Sequence, residues 1–159
     1  AGYDPNFKTS PPLREEYDRQ ALLEGLMDGT IDCIATAHEP YLKHEKDVEF
    51  DLAPFGVVGL ETALSVCLDA IVTSNIGDYK DLISVISLNP AGVLGLAKGP
   101  LSPGVDADVV IFDPAETWKV ATETLESLSS NSPWMGMELS GRVSHLIWGG
   151  KVVREPSPE

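Results

Sequence analysis

The chain is poor in cysteine, in basic side chains and in long apolar runs. Its two cysteines, Cys33 and Cys67, stand far apart with no CxxC near either. That spacing argues against a disulfide framework and a cysteine zinc site, and it fits a reducing, cytoplasmic setting. Lys and Arg together number 11 against 25 Asp and Glu, a formal net charge of −14. Such a balance repels phosphate backbones and anionic lipid, so neither nucleic acid nor membrane is an expected partner. No apolar run has the length, roughly 18 residues, that a membrane-crossing helix needs. The opening Ala1-Gly2-Tyr3-Asp4-Pro5-Asn6 has neither the basic nor the apolar region of a signal peptide. It also lacks an initiator Met, so the chain is expected to begin inside a larger protein. GxGxxG, GxxxxGK(S/T) and HExxH patterns are missing, and Ser65 has no glycine elbow, which leaves a Ser-His-Asp hydrolase without support.

What is present is a globular composition: 159 residues, 43% hydrophobic and 23% charged, enough for one ordinary core. Asn6–Thr9 reads as a short strand before the rigid Pro11-Pro12 loop. A helix is expected over Glu15–Asp28, with Tyr17, Ala21, Leu22, Leu26 and Met27 as its apolar stripe and Gly29 as its stop. Ile31–Thr36 then reads as a buried parallel strand. From Ala37 to Gly59 no period holds. The clearest helix is Leu60–Val72, whose Leu60, Ala63, Leu64, Cys67, Leu68, Ile71 and Val72 share one face opposite Glu61, Thr62, Ser65 and Asp69. Asp78 can cap a helix running to Ser87 with Tyr79, Leu82, Ile83 and Ile86 inward, and Asn89-Pro90 opens a short one to Leu96.

After Gly95 the texture turns to β. Gly99-Pro100, Pro103-Gly104 and Asp113-Pro114 are turn signals around a strand at Ala107–Phe112. Ala121–Leu128 reads as a short helix. Arg142–Trp148, Gly149-Gly150 and Lys151–Arg154 read as a hairpin with a two-residue primed turn. The expected organisation is an α/β segment over 1–97, a mostly β segment over 98–155 and a polar tail over 156–159.

In parallel α/β folds, ligands gather beyond the carboxyl ends of strands. That points to the loop opening Ala35-Thr36-Ala37-His38-Glu39-Pro40-Tyr41, where a His and a Glu at a strand end offer a ligand and a base. A solvated polar loop is the plain alternative. His38-Glu39 and His44-Glu45 have no helical spacing to align them on a metal, and His145 is most simply a packed strand residue.

These residues resemble a known family. Asp4-Pro5-Asn6-Phe7-Lys8 with Pro11-Pro12-Leu13-Arg14 is similar to a stretch of the bacterial type I dihydroorotases. So are Glu45-Lys46 through Phe50, the run Ala53-Pro54-Phe55-Gly56 through Gly59-Leu60-Glu61-Thr62-Ala63-Leu64, Asn89-Pro90-Ala91 through Leu96, and Gly104 through Asp113. The last pieces, Leu139–Val143 and Gly150–Val153, resemble the family in the same order. The resemblance implies a TIM barrel with a small β-sandwich, and a zinc site that reversibly cyclises carbamoyl-aspartate to dihydroorotate. It also implies the ligands: an HxH on the first strand, a carboxylated Lys or an Asp, two later histidines, and an eighth-strand Asp that doubles as general base and acid.

Two departures shape the expectation. A full (β/α)₈ barrel needs about 250 residues, so this chain is read as the carboxyl-terminal part of a TIM-like barrel (strands seven and eight with their helices) followed by part of the sandwich. The earlier ligands would precede Ala1. By the same resemblance, Ala37 stands at the metal-binding and catalytic Asp position, Tyr41 at a substrate-binding His and Ser10 at a substrate-binding Asn, while His38 and the Pro54–Gly56 loop are retained. A methyl group neither binds zinc nor carries a proton. The frame residues are kept and the changes fall on the site, so the resemblance implies degenerate chemistry and no zinc in this chain. It implies a scaffold role beside aspartate carbamoyltransferase. The alternative is the carboxyl-terminal piece of an active zinc dihydroorotase. The unpartnered apolar stripes lead one to expect a homo-oligomer, or docking on a missing amino-terminal barrel segment.

Overall fold

A computed structural model of the protein describes residues 2–155, so the expected tail over 156–159 lies outside the described residues. Its first half is helical and irregular, and its second half carries a sheet. Asp4 does not lead into a strand. Its carboxylate accepts the Asn6 N–H at 2.9 Å, Pro5 supplies a preset φ, and Pro5–Phe7 winds into a single 3₁₀ turn. Helix α1 spans Glu16–Met27, close to expectation. Its inward residues are Leu23, Leu26 and Met27, while Tyr17 and Leu22 face outward, 80% and 55% exposed.

The segment Ile31–Thr36 is not a strand. The Ile31 N–H bonds to the Gly25 carbonyl and the Ile34 N–H to that of Val85, both partners within helical segments. A parallel strand needs a neighbour to pair with, and among the described residues none flanks it. Pairing begins later, where His38 forms a single parallel bridge with Val57. A short helix α2, Lys43–Lys46, interrupts the long loop.

Helix α3 runs Ala63–Leu68 and continues as a π-helical turn through Asp69–Thr73. Helix α4, Tyr79–Ile83, is capped by Asp78, whose carboxylate accepts the N–H groups of Lys80 and Asp81 at 2.7 and 3.0 Å. It too continues as a π-helical turn, Ser84–Leu88, which runs without a break into α5, Asn89–Val93. Asn89 therefore has helical φ/ψ and no free cap. Its side-chain amide donates to the Asp32 carbonyl instead. The core gathers Leu23, Cys67, Leu68, Ile71, Leu82 and Val85, with Ile34 packed against it. Fully burying a side chain such as Ile71 or Leu82 contributes about 1.5–3 kcal/mol. Val85 rather than Tyr79 fills the inward face of its helix, and Leu60 stays outside.

The sheet has three antiparallel strands in sequence order: β1 Val109–Lys119, β2 Glu138–Trp148 and β3 Lys151–Arg154. Strand β1 continues past the expected turn at Asp113-Pro114, which is absorbed as a register irregularity between Asp113 and Thr117. The Asp113 carboxylate accepts the Ala115 N–H and stabilises that bulge. Ala121–Leu128 holds only a 3₁₀ turn at Thr122–Thr124. The hairpin turn lies at Gly149-Gly150, both at positive φ as a primed turn requires.

The face of α3 expected to meet solvent meets the sheet. Ser65, 2% exposed, donates its hydroxyl to the Gly141 carbonyl at 2.9 Å and accepts the Trp118 indole N–H at 3.1 Å. Gly141 sits at φ 90°, and a Cβ there would lie 2.6 Å from Leu68 Cδ2. Only glycine permits that approach.

Candidate functional site

The site is built where the 31–41 segment leaves the helical layer. Ala37 is exposed, and its backbone lies at φ 44°. An L-residue in that left-handed region carries a cost of about 1–2 kcal/mol, which Gly escapes and Asp or Asn bear more easily. The next residue pairs with Val57, and the Glu39 N–H bonds to the Val57 carbonyl at 2.9 Å. The loop after residue 36 and the loop before residue 59 are thereby brought side by side.

His38 is half-buried. Its Nδ1 accepts the N–H groups of Gly59 and Leu60, each at 3.3 Å. With Nδ1 engaged as acceptor, the neutral ring carries its proton on Nε2. His38 therefore offers a hydrogen-bond donor at its other end and helps hold the entry to α3.

Gly56 is buried at φ 129°, and its N–H bonds to the Lys8 carbonyl at 2.9 Å. A Cβ here would stand 2.6 Å from Glu39 Cβ and 2.8 Å from Tyr41 Cε2. The glycine lets the Pro54–Gly56 loop nest on Glu39 and Tyr41. Of the expected site residues, His38, Tyr41, Pro54 and Gly56 are thus brought into one cluster beside Ala37. Ser10 is exposed, two residues beyond the Lys8 carbonyl that receives Gly56, so it flanks the same loop.

Two lysines brace this cluster. Lys8 donates from Nζ to the carbonyls of Phe50 and Asp51 at 2.7 and 3.0 Å and lies 4.6 Å from the Phe55 ring centre. Lys46 donates to the carbonyls of Pro5 and Pro54, both at 2.9 Å, and approaches the Tyr41 ring at 5.7 Å. Burial first, and the Lys8 ammonium second, push the Lys46 pKa below its ordinary value. The two ammonium groups thus stitch the 3₁₀ turn, the 50–56 loop and Tyr41 together. On the flank between Tyr3, Phe7, Pro12, Phe50 and Phe55 lies an open cleft of 580 Å³.

Asn131 completes the cluster from the second half of the chain. Its Oδ1 accepts the Tyr41 N–H at 3.1 Å, and its Nδ2 donates to the carbonyls of Glu39 and Gly56 at 3.2 and 3.3 Å. The sequence gives no sign of Asn131, and Lys46 stands there only within the family-like Glu45-Lys46 stretch, with no role of its own. No periodicity marks either residue, because their role comes from contacts far away in sequence.

The remaining candidates lie elsewhere. His44 and Glu45 are exposed on α2, Ser65 is bound between helix and sheet, and His145 on β2 contacts the Ser144 hydroxyl at 3.0 Å. Zinc chemistry needs a set of His, Cys, Asp or Glu donors converging on one point. Among the described residues no group of three or more is so placed. Position 37 offers a methyl, and the Nδ1 lone pair of His38 is already taken. The residues present in this chain do not by themselves fit a zinc ion. Among the described residues no helix is long and apolar enough to cross a membrane.

Comparison with known proteins places this geometry. The amidohydrolase family matches residues 10–153. A dihydroorotase of Elusimicrobium minutum is 49% identical over 150 residues, covering 94% of this chain and 35% of that protein. A dihydroorotase of Anaeromyxobacter sp. (strain K) is 46% identical over 155 residues, covering 98% of this chain and 36% of that protein. Among solved structures, the L-hydantoinase (dihydropyrimidinase) of Arthrobacter aurescens superposes with a TM-score of 0.90 at 30% identity, covering 99% of this chain and 36% of that one. The chain therefore spans about 35% of the length of the curated relatives it matches. Its architecture is that of the carboxyl-terminal part of a TIM-like barrel followed by part of a β-sandwich. The chain belongs to the amidohydrolase family.

Proposed function

From that family membership we propose that this chain is part of a dihydroorotase-like protein of cytoplasmic pyrimidine biosynthesis whose own metal chemistry is degenerate. In this reading it serves as a structural partner of aspartate carbamoyltransferase. Relatives named dihydroorotase, 49% and 46% identical, support the pathway. One observation carries the degeneracy: Ala37, a methyl-bearing residue in a left-handed backbone conformation, stands beside the clustered loops, next to His38. A carboxylate at that point would anchor a cation and shuttle a proton, and alanine does neither. The loops that would contact a substrate remain assembled next to it, which fits a protein kept for its shape.

The test measures zinc content, dihydroorotate hydrolysis and association with aspartate carbamoyltransferase in the full-length protein. The reading expects no stoichiometric zinc, no turnover, and a stable complex on sedimentation. Ala37→Asp alone is expected to leave the protein inactive, because Ser10 and Tyr41 also depart from the family pattern. Bound zinc with turnover would end this reading. It would favour a second one, in which the chain is the carboxyl-terminal portion of an active zinc dihydroorotase. The short coverage of the relatives supports that alternative, since the other ligands would then lie outside this chain.

A further inference from the structure

Asn131 is 4% exposed and sits in a loop between β1 and β2. A primary amide has two donors and an acceptor oxygen, and here all are engaged. The Tyr41 N–H requires an acceptor, and the carbonyls of Glu39 and Gly56 require donors. Turning the amide over would set like against like, so the network fixes its orientation. The main-chain carbonyl of Asn131 adds a fourth bond, from the Val58 N–H at 2.9 Å. One residue thereby grips both loops of the candidate site, from 90 positions along the chain at Tyr41. Its own loop is anchored independently, because the Glu61 carboxylate accepts the N–H groups of Glu126 and Ser127 at 2.8 and 3.0 Å.

We propose that Asn131 is a positioning residue, whose side-chain amide sets the separation of the Glu39–Tyr41 and Pro54–Gly56 loops and so the presentation of Tyr41 and Gly56 to a bound ligand. The ligand side of this inference rests on the dihydroorotase-like reading, with dihydroorotate as the probe. The loop-setting side stands on the geometry alone. Aspartate has the same shape and keeps an acceptor for Tyr41, but it turns a carboxylate oxygen toward two carbonyls. Asparagine is therefore required for its donors and not for its size.

The experiment is residue-resolved amide exchange, with a dihydroorotate titration, on the full-length protein and on Asn131→Ala and Asn131→Asp. In Asn131→Ala the Tyr41 N–H is expected to exchange at least about tenfold faster, as befits a buried bond whose partner is removed. The Ile34 N–H, bonded to Val85 in the core, keeps its rate. In Asn131→Asp the Tyr41 N–H stays protected, while the Gly56 N–H, bonded to Lys8, is expected to exchange about tenfold faster. Both variants weaken dihydroorotate binding. Unchanged exchange at Tyr41 and Gly56 overturns the proposal, as does an equal rise at Ile34, which would make Asn131 a general structural residue. Should Asn131→Ala fail to fold, the isosteric Asp variant decides alone. A wild-type protein that ignores dihydroorotate overturns the ligand side of the inference and leaves the structural-partner reading standing, and the exchange pattern still decides the positioning role.

Discussion

Where α3 meets the sheet, the contact closes on itself. Ser65 satisfies both Gly141 and Trp118, Gly141 admits the Leu68 side chain, and Leu68 and Ile71 are buried beneath. Where residues 31–41 run past the helices, the backbone is open. Ile31–Thr36 has no strand beside it among the described residues, Ala37 holds a left-handed conformation without a glycine, and α1 turns Tyr17 and Leu22 outward. The first region has its polar partners within this chain. The second has its shape set by a few long-range anchors and leaves apolar surface uncovered. In the first, sequence changes remove stability. In the second, they can add it.

The largest effect that would sharpen this contrast is expected from Gly141→Ala. The new methyl meets Leu68 and the backbone is held at φ 90°, so the loss should be about 3 kcal/mol in denaturant unfolding. A loss below about 1 kcal/mol would mean that the helix–sheet contact is not closed as described. Ser65→Ala follows, at about 2 kcal/mol, because it leaves the Gly141 carbonyl and the Trp118 N–H without their buried partner. Trp118 fluorescence should shift in the same variant as its indole loses that bond.

Local patterning made the closed region partly legible. The stripe of Cys67, Leu68 and Ile71, the Asp78 cap and the Gly149-Gly150 turn all depend on neighbours within a few residues, and they stand as expected. A helical period knows one buried face and sets Ser65 and Thr62 opposite it, but here the sheet covers Ser65 and Thr62 is buried with its hydroxyl on the Gly59 carbonyl. Ile31–Thr36 reads as a strand by composition, but pairing is a property of two segments. At the site, the resemblance indicated the loops, and the structure clusters His38, Tyr41, Pro54 and Gly56. The roles of Asn131 and Lys46 are not legible in the sequence, because each side chain acts on main-chain carbonyl and amide groups, which leave no trace in residue patterns.

A third substitution tests the open region in the opposite sense. Ala37→Gly removes a Cβ from a left-handed position, and the relief exceeds the added freedom of glycine in the unfolded chain. Unfolding stability should rise by about 0.5–1 kcal/mol. A fall comparable to that of Gly141→Ala would erase the contrast between the regions.

The smallest effect concerns the lysine that braces the site loops. Lys46 has its folded pKa below the unfolded value, because burial and the Lys8 ammonium disfavour its charge. Between those two values the unfolded chain binds more protons than the folded one, so stability climbs as pH rises through that window. The window lies below 10.5, the ordinary lysine value. Below it the burial cost of the charge is fully present. Lys46→Met removes the titrating group and should flatten this alkaline rise, while leaving the carbonyls of Pro5 and Pro54 without their donor and lowering stability at neutral pH. Unfolding curves of both proteins from neutral to alkaline pH supply the comparison. An unchanged slope in the variant would show that Lys46 keeps its full hydration in the folded chain. The site loops would then be braced by Lys8 and Asn131 without it.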